Sequence, residues 1–134
     1  MYDKDFTVEI VTPVETKFEG TCDEIILPGI EGEMAVLGGH APLLTMLNSG
    51  VTVTVQGGER KVLSTGEGFA TIAENKVVCL VDFAFRADEL DFGALSEELN
   101  SVRAELENSP GNSDLRTKKR QLEAKIKAQG YGAS

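Results

Sequence analysis

The chain has 134 residues and a formal net charge of −9 at pH 7, with 41% hydrophobic and 26% charged residues. That is room for one domain, or a small domain with an appendage, and no apolar run reaches the ~20 residues that cross a bilayer. A surplus of acid on this scale repels a nucleic-acid backbone and an anionic membrane surface alike, which removes both as direct partners.

The N-terminal run MYDKDFTVEI has neither the basic start nor the apolar core of a secretory signal, and it is too acidic for an organellar transit peptide. The chain is therefore expected to work in the compartment where it is made, a bacterial cytoplasm. Up to about residue 86 the pattern repeats with period two. Phe6, Val8 and Ile10 alternate with polar residues, as do Val51, Val53 and Val55, the signature of a strand with one buried face. Gly57-Gly58 between extended runs predicts a hairpin, because glycine accepts positive φ without a Cβ clash. Residues 69–73 and 76–81 predict a second hairpin, with its turn at Glu74-Asn75. Further turn signals at Gly20, Pro28-Gly29, Gly38-Gly39, Asn48 to Gly50 and Gly66 to Gly68 make the strands short and evenly spaced. The fold class this predicts for residues 1–86 is all-β, an antiparallel sandwich or barrel. Cys22 and Cys79 fall within apolar runs and read as small buried hydrophobes, not as a disulfide.

From about Asp88 the period changes. Leu95, Leu99, Val102 and Leu106 are spaced by four, three and four, one stripe of a helix. Residues 108–113 break it, and Leu115, Leu122 and Ile126 continue at heptad spacing. Ser113 is the expected N-cap of the second helix and Gly130 its expected stop. Residues 87–134 thus predict a C-terminal α-helical hairpin. Its seam of seven aliphatic side chains is thin for some 40 residues, so it needs the sandwich or another protein to pack on. The first helix is acidic, and the second carries Arg116, Lys118, Lys119, Arg120, Lys125 and Lys127. Two readings stand open: the helices attract each other, or the basic helix meets an acidic partner.

The chemistry-bearing residues are sparse. His40 is the only histidine, and the two cysteines lack Cys-x-x-Cys spacing, so no metal set assembles in sequence. There is no G-x-S-x-G elbow, dinucleotide fingerprint or P-loop. Glu31 and Glu33 would share a strand face if extended, but among 22 acidic residues such a pair is a weak pointer to acid–base work. What residues 27–47 do specify is shape: a tight turn at Pro28-Gly29 and Gly32, and a directed corner at His40-Ala41-Pro42. Such a rim is either a plain connector or a binding surface held by a rigid sandwich.

At this point the sequence resembles a known family. LPGIEGEMAVLGGHAPLLTMLNSGVTV, residues 27–53, is similar to the signature of the ε subunit of F-type ATP synthases, called δ in mitochondria. The likeness runs on through residues 64–70 and 81–91 into the hairpin, nearly the whole chain. It implies a non-catalytic rotor subunit, without a cofactor, that couples c-ring rotation to ATP synthesis. The turn Glu31, Gly32 and Glu33 would face the c-ring, and the strip around His40 and Thr45 would lie against γ. Arg116, Lys118, Lys119 and Arg120 would reach an acidic loop of the β subunit. The implied location is peripheral, on the cytoplasmic face of the bacterial inner membrane, held there only through the complex. Relatives that bind ATP on the hairpin carry [I/L]-D-x-x-R-A and a later arginine. Here Ala94 and Ser101 stand at those places, so weak or no ATP binding is expected. The Leu90-Asp91-Phe92-Gly93-Ala94 wording is closer to the mitochondrial form, whose hairpin stays folded. The alternative function implied is a regulatory brake that inhibits ATP hydrolysis through mobile C-terminal helices.

Overall fold

A computed structural model describes residues 5–131. The strands are β1 (Phe6–Val11), β2 (Thr16–Cys22), β3 (Glu24–Gly29), β4 (Gly32–Leu37), β5 (Leu43–Leu47), β6 (Gly50–Gln56), β7 (Glu59–Thr65), β8 (Gly68–Ala73), β9 (Lys76–Val81) and β10 (Ala84–Arg86). A 3₁₀ turn (Ala87–Glu89) leads into α1 (Phe92–Asn108) and α2 (Ser113–Lys127), and a second 3₁₀ turn spans Ala128–Tyr131.

The strands hydrogen-bond in the order β10-β7-β6-β3-β5-β8-β9-β1-β2, with β4 beside β3. The pairs are antiparallel except one: β1 and β9 run parallel, Val8 opposite Val77 and Ile10 opposite Cys79. Alternation places Val8, Ile10, Ile25, Leu27 and Val77 in one core at 0–1% exposure, each contributing about 1.5–3 kcal/mol relative to exposure. The predicted hairpins close as expected, with Gly57 and Gly58 at φ 59° and 83° and with Glu74 and Asn75 at 51° and 61°.

Strand β6 departs from the one-buried-face expectation. Thr52 and Thr54, at 1% and 2% exposure, face the sandwich interior, opposite Leu63 and Ile25. The hydroxyls of Thr52 and Thr65 satisfy each other at 2.8 Å. Val51 and Val53 point outward, and the hairpin covers them: they are buried with Val62 and Ala128, against half-buried Ile26, Val55, Ala87 and Phe92.

All seven seam residues meet between the helices, with Leu99, Val102 and Leu122 buried and Leu95, Leu106, Leu115 and Ile126 packed on them. Two details differ from expectation. The cap of α2 is Asn112, whose side chain accepts from the Leu115 N–H at 3.1 Å; Ser113 is the first helical residue. The helix ends at Lys127, because the chain tightens into the 3₁₀ turn before Gly130 is reached. Asp91 caps α1 by accepting from the Ala94 N–H at 3.1 Å.

Register also sorts the connections. Gly29 pairs with Leu47, Leu47 with Gly68, Gly68 with Val81, and Gly50 with Thr65, which pairs with Ala84. The β3–β4, β5–β6, β7–β8 and β9–β10 turns therefore share one end of the sandwich. The β4–β5 corner lies at the other, where Gly39 N–H donates to Asn75 Oδ1 at 3.3 Å.

Candidate interaction surface

The hairpin lies over β6 and β7, leaving the outer faces of β5, β8 and β9 open. There Met46, Phe69 and Leu80 sit side by side across the three strands. They are 54%, 37% and 40% exposed, and Leu44, two residues from Met46 on the same face, is 65% exposed. Contiguous apolar side chains on a folded, otherwise charged surface mark a place where another protein binds. The strip is bordered by an ion pair, Lys76 Nζ to Glu9 Oε2 at 2.6 Å. That hydrogen bond holds the ammonium above the usual lysine range.

One margin of the strip runs into the β3–β4 turn. Gly29 and Gly32 close the turn, Gly32 at φ 129°, where an L side chain is strained. Ile30 is 57% exposed, and its N–H donates to the Met46 carbonyl at 3.2 Å, which ties the turn to β5. Residues 29–34 and 44–46 line one shallow groove. Glu31 sits at the tip, while Glu33 lies in β4 opposite Pro28, so the two acids occupy a turn and a strand and do not share a strand face.

The sequence-predicted residues are not gathered in one place. His40 is exposed at the opposite end of the sandwich from Glu31. Its N–H donates to the Leu37 carbonyl at 3.3 Å, and its Nδ1 lies 2.7 Å from the Ala41 carbonyl, to which it donates when protonated there. Thr45 is half-buried on the inward register of β5, opposite Ala70. Its neighbours Leu44 and Met46 carry the outward face, and they were missed together with Phe69 and Leu80. The available signal was Leu43-Leu44-Thr45-Met46-Leu47, a strand-length run that is apolar on both faces.

Of the basic set, Lys118 pairs with Glu98 of α1 at 3.2 Å. Arg116, Lys119 and Arg120 line a groove at the loop end of the hairpin, and Arg120 also faces Glu67 and Asp82 across a second groove. Both thiols are buried and free. Burial pushes Cys79 up to about 12, and burial together with nearby Asp23 pushes Cys22 up to about 11. Among the described residues, no three His, Cys, Asp or Glu side chains converge on a metal position. What this surface offers is shape and apolar area.

The comparisons agree in kind. Residues 5–87 match the family described as ATP synthase, Delta/Epsilon chain, beta-sandwich domain. The chain is 38% identical over 109 residues to "ATP synthase epsilon chain 2" of Ralstonia nicotianae, 81% of this chain and 78% of the relative. It is 36% identical over 116 residues to the ATP synthase epsilon chain of a Chelativorans species, 86% and 85% of the two chains. In fold it resembles a chain of the Euglena gracilis mitochondrial ATP synthase (OSCP/F1/c-ring), with a TM-score of 0.81 at 21% identity over 98% of this chain and 83% of that one. A chain of the Tetrahymena thermophila mitochondrial ATP synthase central stalk and c-ring gives a TM-score of 0.55 at 15% identity over 96% of each. With its sandwich matched from end to end and relatives above 30% identity spanning most of its length, the chain belongs to the ATP synthase delta/epsilon family.

Proposed function

We propose that this chain is a non-catalytic subunit of the ATP synthase central stalk, coupling c-ring rotation to ATP synthesis by gripping γ. The observation that carries this is the exposed strip Leu44, Met46, Phe69 and Leu80, continuous with the acidic turn through Ile30, on a family member. In this reading γ covers the strip and reaches His40, while Thr45, between Leu44 and Met46 on the inward register, lies beneath that contact. The turn Glu31, Gly32 and Glu33 faces the polar loops of the c-ring. Residues 1–86 are the gripping unit and residues 87–134 the appended hairpin. The chain is peripheral to the membrane, held through the complex on the cytoplasmic face of a bacterial inner membrane. It takes no cofactor.

A second reading keeps the same family and changes the hairpin's task. Arg116, Lys119 and Arg120 stand clear of the interhelical ion pairs and suit an acidic loop of β, as a brake on ATP hydrolysis would require. Titration of purified γ into the purified chain tests the first reading, which expects a one-to-one complex; absence of a complex refutes it. Removing residues 88–134 separates the two. A coupling subunit still captures γ, whereas loss of a brake raises ATP hydrolysis by the assembled enzyme.

A further inference from the structure

The hairpin and the sandwich have separate cores. The long aliphatic side chains of α1 and α2 face each other. What the end of α2 and the turn after it bring toward β6 and β7 is small: Ala124, 6% exposed, and Ala128, the fully buried first residue of the 3₁₀ turn. Phe92 of α1 adds an aromatic ring to this layer, packed against the cluster of Val51, Val53 and Val62, and two polar features of the layer bear on how firmly α2 is seated.

The first is favourable. Lys125 Nζ lies 4.4 Å from the Phe85 ring centroid and 5.6 Å from that of Phe83. Lys17 reaches the Phe85 ring from β2 at 5.9 Å and is anchored on Glu89 at 3.0 Å. A cation over an aromatic face in a partly desolvated site is a directional clamp.

The second is unfavourable. Ser64 in β7 shares the outward face of Val62, opposite Val51, both of which pack in the layer under the hairpin. It is 0% exposed, and its Oγ is the one buried side-chain polar atom without a hydrogen-bond partner among the described residues. On the same strand, the inward-facing hydroxyl of Thr65 is satisfied by Thr52. A stranded hydroxyl carries its desolvation cost only while it is covered. Once α2 lifts away, Ser64 meets water and the cost disappears.

We infer that Ser64 sets how readily the hairpin leaves the sandwich, acting against the Lys125 clamp. The inference rests on reading residues 87–134 as a unit that docks, and it needs neither γ nor the ring. It is tested on the full isolated chain by native-state hydrogen exchange, so its failure and that of the rotor reading are separate outcomes. In Ser64→Ala, amides of α1 and α2 exchange about 5- to 150-fold more slowly, the range that follows from an unsatisfied buried group, while sandwich amides keep their rates. Lys125→Gln speeds exchange of the hairpin alone, and Lys125→Arg restores it. Hairpin exchange unchanged or faster in Ser64→Ala, or slowed equally in hairpin and sandwich, overturns the inference. Unchanged hairpin exchange in Lys125→Gln overturns the clamp.

Discussion

Replacing Leu44 and Met46 by Gln keeps each side chain about as large and makes its end polar. Complete burial of a Leu or Met is worth about 1.5–3 kcal/mol. Leu44 and Met46 still expose 65% and 54% of their surface. Covering the remainder therefore contributes about 1–2 kcal/mol for Leu44 and about 1–1.5 kcal/mol for Met46. The double variant should bind γ with roughly 30- to 300-fold lower affinity, since each 1.4 kcal/mol is a factor of ten. Calorimetric titration of purified γ measures this directly. The fold is little affected, because neither side chain belongs to the core, so the denaturation midpoint should hold steady. Thr21→Gln, on the exposed face of β2, is the control and leaves affinity unchanged. A folded Leu44→Gln/Met46→Gln protein that binds γ as the parent does would refute the assignment of the strip.

Both cysteines, with pKa values pushed up to about 11 and about 12, stay unreactive toward a disulfide reagent near pH 8 and react only once denaturant is added; rapid native labelling, read by absorbance, would contradict their placement. Glu89 accepts from the Arg86 N–H at 2.8 Å and from Lys17 at 3.2 Å, which holds its carboxyl below the usual value of 4.5. A carboxyl depressed on folding contributes stability at neutral pH that is lost as pH falls below that usual value, so Glu89→Gln loses less stability than the parent in urea unfolding between about pH 6 and about pH 3. Asn112→Ala costs about 1 kcal/mol in denaturant unfolding, while Ser113→Ala costs less, because Asn112 supplies the capping oxygen. ATP titrated into the chain gives no saturable heat below millimolar concentration, since Ala94 and Ser101 bring no guanidinium to a triphosphate.

The parts of the fold that were legible are those governed by local rules. The stripe from Leu95 to Ile126 is spaced as a helix face must be, and all seven residues meet in the seam. Gly57-Gly58 announces its turn because few other residues accept that backbone. Pairing between distant strands was not legible, since period two says which residues share a face and nothing about which strand lies alongside. The parallel β1–β9 ladder is invisible for that reason. The valines of β6 misled for a related one: alternation marks two faces, and here the apolar face is covered by the hairpin while the threonines fill the sandwich. The cap of α2 slipped by one residue because Asn112 and Ser113 are both good caps, and only the extended backbone at Asn112 decides between them. In the surface strip, apolar residues on both sides of β5 erase alternation, and that loss was itself the signal.

The two sequence readings of the charged hairpin turn out to be compatible. Attraction between the helices is real, with Glu98 to Lys118 at 3.2 Å and Arg103 to Glu123 at 3.4 Å. The four side chains are 43–52% exposed, however, and ion pairs so open to solvent contribute about 0–1 kcal/mol each. Such pairs set the register of α1 against α2; the aliphatic seam supplies the cohesion. Six bases on α2 therefore exceed what the interhelical pairs use: Arg116 and Lys119 lie toward its loop end, away from the docking alanine at 128, and Arg120, at mid-helix, also faces Glu67 and Asp82. An excess of cations at that end, in a chain of net charge −9, suits the acidic partner proposed above. It can engage that partner while Ala128 and Lys125 keep the other end of α2 seated, so contact with β would not by itself require the hairpin to unfold from the sandwich.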